Sequence, residues 1–338
     1  MLSKNTKYDG IAVALAWPET FCKQANSWYD LPMRWLGFSK DFYYQAGHAA
    51  VLLVEKNGRK CHYFDFGRYH SPFSMGRVRS DQTDPELEVS TKPEFFNDGE
   101  EILNIRDILF ELQSNASYHG DGRLYASQFP INFESAYQKA IELQSKVFIP
   151  YGPFIANGSN CSRFVSSVIA AGHPPLVNRI KLKYFVPTTP TTLSNVKAGK
   201  HPLSVPKLSA LGKKVKVVRP NYKDWANSLN WLNETFPQPV KHINIPQNAQ
   251  WLSGEGYGSW YAINVINEVI HLSKFSPKGV KEHSTQFIAD SLSVDFSKPY
   301  SIAYPTNNLV LTIIQQDEKF SFTHRAEEKH VSGQVNVG

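Results

Sequence analysis

The first strong signal in the hydrophobic pattern is an apolar run over residues 10–16, Gly-Ile-Ala-Val-Ala-Leu-Ala, which predicts a strand. Residues 19–37 are aromatic-rich and helical in part. Residues 48–54 predict a second strand, Lys56-Asn57-Gly58-Arg59 a tight turn, and residues 60–67 the returning strand. Asn-Gly between two apolar runs is the strongest short-range hairpin signal. Residues 68–98 are polar and rich in turn formers, which predicts a long connection. An amphipathic helix is expected from Asp98-Gly99-Glu100-Glu101 to about Gln113, a strand over 122–129 and a helix over 133–146. A loop over 150–160 then leads into a helix that starts at Cys161. Phe164, Val165, Val168 and Ile169 recur there at helical spacing, and Ala170-Ala171-Gly172 followed by Pro174-Pro175 reads as its stop.

Beyond Val186 the pattern changes. Pro187-Thr188-Thr189-Pro190-Thr191-Thr192 and a basic stretch holding Pro202 and Pro206 place a linker at about 200–213. The remainder predicts a helix near 223–233 and then mostly strands. Residues 259–266 and 269–275 flank Asn267-Glu268, and residues 309–315 and 319–324 flank Gln316-Asp317-Glu318. Both are expected to be antiparallel hairpins. There is no fixed-period repeat. The expected organisation is one domain over residues 1–200 and a smaller, mainly antiparallel β accessory domain over 213–338.

Composition bears this out as far as it can. The 338 residues are 41% apolar and 13% aromatic, enough for real cores. No apolar run approaches the roughly 18 residues of a membrane span, so no transmembrane segment is expected. The N-terminus lacks the pattern of a secretory signal. The expected location is therefore cytoplasmic, or extracytoplasmic if the chain has been trimmed. Cys22, Cys61 and Cys161 are too few and too far apart for a disulfide framework or a C-x-x-C zinc site.

The net charge of +6 is unevenly placed: between Glu142 and Asp224 there is no acid, while 13 Lys and Arg occur. That interval contains Cys161. It is either a plain solvated basic surface or a positive field that lowers a thiol pKa and attracts anionic substrates.

Asn160-Cys161-Ser162-Arg163-Phe164-Val165 carries the most specific chemistry. Gly158-Ser159-Asn160 supplies loop and N-cap residues, so Cys161 falls in the first helical turn. There the unpaired N–H groups and the helix dipole favour a thiolate. A cysteine nucleophile needs a base, and His48, opening a strand beside Gly47, is the best placed of the 11 histidines. Hairpin register tests for a third member. If Asn57-Gly58 is the turn, Ala50 lies opposite Asp65, which puts Asp65 on the His48 face, while His62 pairs with Leu53 on the other. A bulge would exchange the two.

The other nucleophiles fit less well. Cys22 lacks the Gly-Ser-Asn lead-in and is expected in the core, and Cys61 packed within its strand. There is no G-x-S-x-G elbow, no phosphate-binding loop, no dinucleotide fingerprint around Gly256-Tyr257-Gly258 and no H-x-x-x-H spacing. No cofactor, metal or nucleic-acid partner is therefore expected. In the second domain Trp251, Tyr257, Trp260, Tyr261 and Phe275 would form either a ligand surface or, more simply, a small β core. Its expected job is to cover a substrate groove or recruit a partner.

His48 first, a polar residue on the adjacent strand, then a distant Asn-Cys-Ser-x-Phe-Val helix: this order resembles the circularly permuted branch of the NlpC-type papain-like cysteine peptidases. That branch includes lecithin retinol acyltransferase-like proteins and YiiX-like hydrolases. In ordinary NlpC peptidases the cysteine comes first. The resemblance rests on about 25 residues around His48–Gly67 and about 12 around Cys161. It implies an α+β, permuted papain-like domain over roughly residues 8–200, with an antiparallel sheet and packed helices.

It also implies a thiolate at Cys161, a base at His48, and an orienting residue at Asp65 or His62. In the acyltransferase-like members that third position is a histidine. Apart from the resemblance, Tyr151 is expected to line the substrate groove from its proximity in sequence to the loop. The implied function is a thiol hydrolase acting on an amide or ester of a cell-wall-type peptide or other acylated small molecule. A lipid-directed acyltransferase or thioesterase and a non-catalytic binding module are the alternatives.

Overall fold

The computed structural model describes residues 8–24, 27–40, 43–96, 99, 101–185, 189–209, 212–218, 238–288 and 294–324. The helix expected near 223–233 lies outside these residues. So do residues 1–7, Pro187, Thr188, and residues 210–211 of the expected linker. The described chain is mixed α+β with antiparallel sheets and a separate, mainly-β C-terminal region.

Seven strands form the main sheet: β1 (Gly10–Trp17), β2 (His48–Glu55), β3 (Cys61–Gly67), β4 (Met75–Ser80), β5 (Leu124–Ile131), β6 (Ile149–Pro150) and β7 (Lys200–Val205). Their order is β6-β4-β3-β2-β1-β5-β7, antiparallel throughout. β1 is buried along its whole length because both faces of the sheet are covered. On one face Ala12, Ala14 and Ala16 are small, which allows helices α3 (Phe133–Ser145) and α6 (Thr192–Ala198) to pack close, while α4 (Cys161–Ala171) lies over β2 and β3. On the other, Ile11, Val13, Leu15 and Trp17 pack against α2 (Ile105–Ser114). Helices α5 (Leu176–Tyr184) and α6 (Thr192–Ala198) follow α4.

Several expectations shift. Lys200–Val205, inside the interval read as a linker, instead forms edge strand β7 beside β5. β4 lies inside the expected long connection. Its arginines are buried against acids, Arg77 on Asp84 and Arg79 on Asp65. The helix expected from Asp98 starts only at Ile105, because Phe95–Phe96 and Glu101–Ile102 first pair as a short ribbon around Gly99, whose φ is +83°. The short helix α1 (Asp30–Trp35) occupies the aromatic stretch.

The C-terminal region holds a four-stranded sheet, β8 (Gln250–Leu252), β9 (Ser259–Ile266), β10 (Val269–Phe275) and β11 (Lys281–Ile288), and a three-stranded one, β12 (Ser301–Ala303), β13 (Val310–Gln315) and β14 (Glu318–Thr323). Both sheets contribute to one core, with Leu272 and Phe287 from the first and Leu311 and Ile313 from the second. Both expected hairpins form. Asn267-Glu268 and Gln316-Asp317 all have positive φ, the requirement of a two-residue type I′ turn. Of the five aromatics singled out, Trp260, Tyr261 and Phe275 are buried in the β cores, and Trp251 packs on Trp260. Tyr257 reaches the main sheet instead: its carbonyl accepts from His70 N at 3.1 Å, and Arg68 O accepts from Gly256 N at 2.9 Å.

Candidate active site

Cys161 is the first residue of α4. The loop before it folds back on itself, with Ser159 N donating to Pro150 O at 2.9 Å and Gly152 N to Ser159 O at 2.9 Å. This aims Asn160 to cap the helix, and its Oδ1 accepts from Arg163 N at 2.8 Å. The start of α4 is also tied to α6, where Asn195 Nδ2 donates to Ser162 O at 2.8 Å. Cys161 is buried, and its Sγ lies 3.9 Å from Ser162 Oγ.

His48 opens β2 opposite the end of β1, with Trp17 as its register partner. The two rings stack at 5.6 Å. Gly47 precedes it at a φ of +75°, and a Cβ there would come within 2.9 Å of Pro18 Cα and 3.0 Å of Trp17 O. Only glycine fits without displacement.

The register places Ala50 opposite Asp65 and Leu53 opposite His62, as expected, although the turn forms differently. Gly58 N bonds to Glu55 O, pairing stops at Val54 and Cys61, and neither Asn57 nor Gly58 has positive φ. Asp65 Oδ2 lies 3.3 Å from His48 Nε2. That contact is an ion pair rather than an aligned hydrogen bond, and His48 Nε2 has no well-directed acceptor. His62 sits on the opposite face against Phe133 and Tyr137, at 5.7 and 5.2 Å.

Asp65 is fully buried and held by a residue that sequence reasoning missed. Arg79 on β4 donates to both carboxylate oxygens, Nε at 3.0 Å and Nη2 at 2.6 Å, while Tyr63 Oη donates at 3.1 Å. The available signal was the pairing of Met75-Gly76-Arg77-Val78-Arg79-Ser80 with the hairpin already recognised. The Arg79 guanidinium stacks 3.8 Å over the Tyr69 ring. His119 stacks on Tyr69 at 5.1 Å, and Tyr257 closes on His119 at 4.0 Å.

The electrostatics follow from this packing. Burial pulls the His48 pKa down, but the adjacent Asp65 carboxylate and Cys161 outweigh it and raise it to about 9. Burial pushes the Cys161 thiol up, but its hydrogen bond and charge interaction with His48 bring it below the ordinary value. Burial also opposes the ionised Asp65, yet the Arg79 charge and the His48 contact hold it well below the usual carboxylate range. Cys22 and Cys61 go the other way, and burial pushes both up to about 12.

Two cavities meet at Cys161, one of about 280 Å³ and one of about 540 Å³. The smaller is apolar, with Tyr29, Met33, Tyr44 and Phe154 in its wall. The larger is bordered by His48, Tyr69, His119, Lys207 and, from the C-terminal region, Tyr257 and Lys278. Tyr151 and Arg68 line both. Tyr151 stacks on Phe66 at 5.4 Å, and Arg68 lies 5.2 Å over its ring. Cys22, expected in the core, is instead half-buried in the short strand Cys22–Lys23, and it too borders both cavities. Cys61 packs in the core as expected. Among the described residues no three His, Cys, Asp or Glu side chains are grouped to hold a metal ion.

Residues 12–174 match the family model of the Type VI secretion system effector TseH-like proteins. That family is of the papain-like NlpC/P60 cysteine amidase type. The match runs from within β1 to just past α4, and so takes in His48, Asp65 and Cys161. Residues 249–325 match a separate model, the DUF6695 C-terminal domain. No curated protein and no solved structure matches the chain. No described helix is long and apolar enough to cross a membrane.

Proposed function

We propose that the protein is a thiol-dependent hydrolase of the papain-like amidase type, in a permuted chain order with the base ahead of the nucleophile. The observation that carries this reading is one linked set of residues. Cys161 sits at a helix N-terminus beside His48, and His48 lies against an Asp65 carboxylate that Arg79 keeps ionised. The similarity of residues 12–174 to TseH-like effectors supports the same reaction class.

The Cys161 thiolate attacks the carbonyl carbon of an amide or ester. The His48 imidazolium then protonates the leaving amine or alcohol. Water, deprotonated by His48, hydrolyses the thioester and restores the Cys161 thiolate beside the His48 imidazolium. General acid–base help of this kind contributes roughly 10²–10⁴ in rate. The Cys161 N–H is one oxyanion donor, a contribution on the order of 3 kcal/mol. Asp65 fixes the imidazole, and Tyr151 forms part of the groove wall. The proposed substrate is a cell-wall-type peptide or another acylated small molecule, and two domains are the proposed organisation, the first extended beyond 200 to take in β7 and the second over 213–338. The apolar cavity beside Cys161 favours a second reading, a lipid-directed acyltransferase or thioesterase using the same residues.

Alkylation by iodoacetamide at pH 6, read by peptide mass spectrometry, tests the thiolate. Cys161 should react well ahead of Cys22 and Cys61. Reaction no faster than a free thiol, whose pKa is about 8.5, would remove the basis for catalysis. A panel of peptide and phospholipid ester probes separates the two substrate classes, and labelling of Cys161 by the lipid probes alone would overturn the first choice.

A further inference from the structure

One face of α5 is inverted relative to an ordinary surface helix. Asn178 and Leu182 supply its buried side. Leu176, Val177, Ile180 and Tyr184 recur at helical spacing on the outer side and are all exposed, as is Phe185 just beyond the helix. Arg179, Lys181 and Lys183 border this apolar stripe, and the acid-free interval between Glu142 and Asp224 encloses it. A surface helix normally turns its apolar stripe inward and its charges out. An outward apolar stripe edged with cations is the pattern of a helix that lies in the headgroup region of an anionic bilayer.

A second patch has the same character. Around α1, Trp28, Leu31, Trp35, Leu36 and Phe38 are exposed, Trp35 to 78%. The one acid of this segment, Asp30, is turned inward and accepts from Ser27 N and Tyr44 Oη. Its exposed charge, Arg34, is a cation. Soluble monomers rarely expose apolar surface on this scale without a use for it, and tryptophan is enriched where membrane meets water. The apolar cavity connects the patches. Its wall includes Tyr29, Asp30 and Met33 from the α1 side, and Thr189, Pro190 and Thr191 from the segment after α5.

We propose that α5 and the 28–38 segment dock the protein on an anionic phospholipid surface, with the mouth of the apolar cavity beside it. The docking goes beyond the hydrolase reading and does not depend on it. Nor does it depend on the region matching the TseH-like model, which ends before α5.

Co-sedimentation of the full chain with vesicles tests this, using phosphatidylcholine alone and phosphatidylcholine mixed with phosphatidylglycerol, at low and high salt. The protein should partition onto the mixed vesicles and less so as salt rises. Replacing Arg179, Lys181 and Lys183 together with Gln should weaken that partition about 100-fold, since each cation near an anionic surface contributes about fivefold. The charge-preserving pair Lys181→Arg and Lys183→Arg should bind as the parent does. Ile180→Ser with Trp35→Ser should lower binding at both salt concentrations, with an unchanged far-ultraviolet circular dichroism spectrum. Cys161→Ala should bind like the parent, which keeps failure of docking distinct from failure of catalysis. No binding to the mixed vesicles, equal binding to both vesicle types, or a Gln variant that binds like the parent would overturn the proposal. So would a self-association removed by Ile180→Ser with Trp35→Ser, which would make a second copy the occupant.

Discussion

Two cations share the Asp65 carboxylate, Arg79 through bonds of 3.0 and 2.6 Å and His48 at 3.3 Å. Removing that negative charge affects both. Asp65→Asn leaves the Arg79 guanidinium buried without its counter-charge, which costs about 3–5 kcal/mol by comparison with other broken buried pairs. The same change removes what holds the His48 pKa up, so Cys161 alkylation at pH 6 should fall steeply even in the folded fraction. Urea denaturation and the alkylation rate measure the two effects separately.

The signs of the pH dependence are opposite for the two partners. The folded His48 pKa is raised from 6.5 to about 9, so its contribution to stability is complete below about 6.5 and is lost as pH rises through 9. The Asp65 pKa is lowered, so its contribution is present above about 3.8 and is lost as pH falls further. Asp65 was legible from hairpin register, because strand side chains alternate faces. Arg79 was not, because a charged residue in a polar stretch ordinarily faces water, and only the carboxylate across the sheet makes it buried.

At the scale of elements, α4 depends on its cap. Asn160 satisfies the Arg163 N–H that the first turn leaves unpaired. Asn160→Ala should lower stability by about 1 kcal/mol, seen as a reduced urea midpoint with an unchanged slope. It should also slow Cys161 alkylation by loosening the helix start. The β2–β3 register came through correctly although the turn did not. Burial of one strand face by alternating side chains sets register more firmly than two turn residues do. The start of α2 was misread because Asp98-Gly99-Glu100-Glu101 carries helix-start chemistry, while Gly99 at positive φ serves a short ribbon there.

At the scale of the whole molecule, the C-terminal region is joined to the main sheet by buried charge. Lys274 on β10 meets Asp84 at 3.2 Å, Glu282 at 3.3 Å and also Glu86, while Arg77 grips Asp84 with two bonds of 2.7 Å. Lys274→Met should cost about 3–5 kcal/mol at neutral pH, because it leaves carboxylates buried without their cation. Burial opposes the ionised Glu86, but Lys274 and His283 lower its pKa to about 2, and Asp84 is lowered further by Arg77 and Lys274. Their contribution is therefore present above about pH 4.5 and lost as pH falls toward 2. Glu282, raised by burial, acts in the opposite sense. Thermal unfolding from pH 7 to 3 should show the parent losing stability on acidification and Lys274→Met losing less.

The sequence alone determined what is local or periodic. Helical spacing specified α3 and, with its cap, α4, apolar runs around Asn267-Glu268 and Gln316-Asp317-Glu318 marked the C-terminal hairpins, and alternation put Asp65 on the His48 face. Tertiary structure decided which distant groups share a buried space. It brought Cys161 to His48 across 113 positions, buried Arg77, Arg79 and Lys274 against acids, put Cys22 at the cavities rather than in the core, and set Tyr257 against the His119 ring. The reason is physical. Period and cap are properties of neighbouring residues, whereas the burial of a charge depends on a partner that only the folded chain supplies.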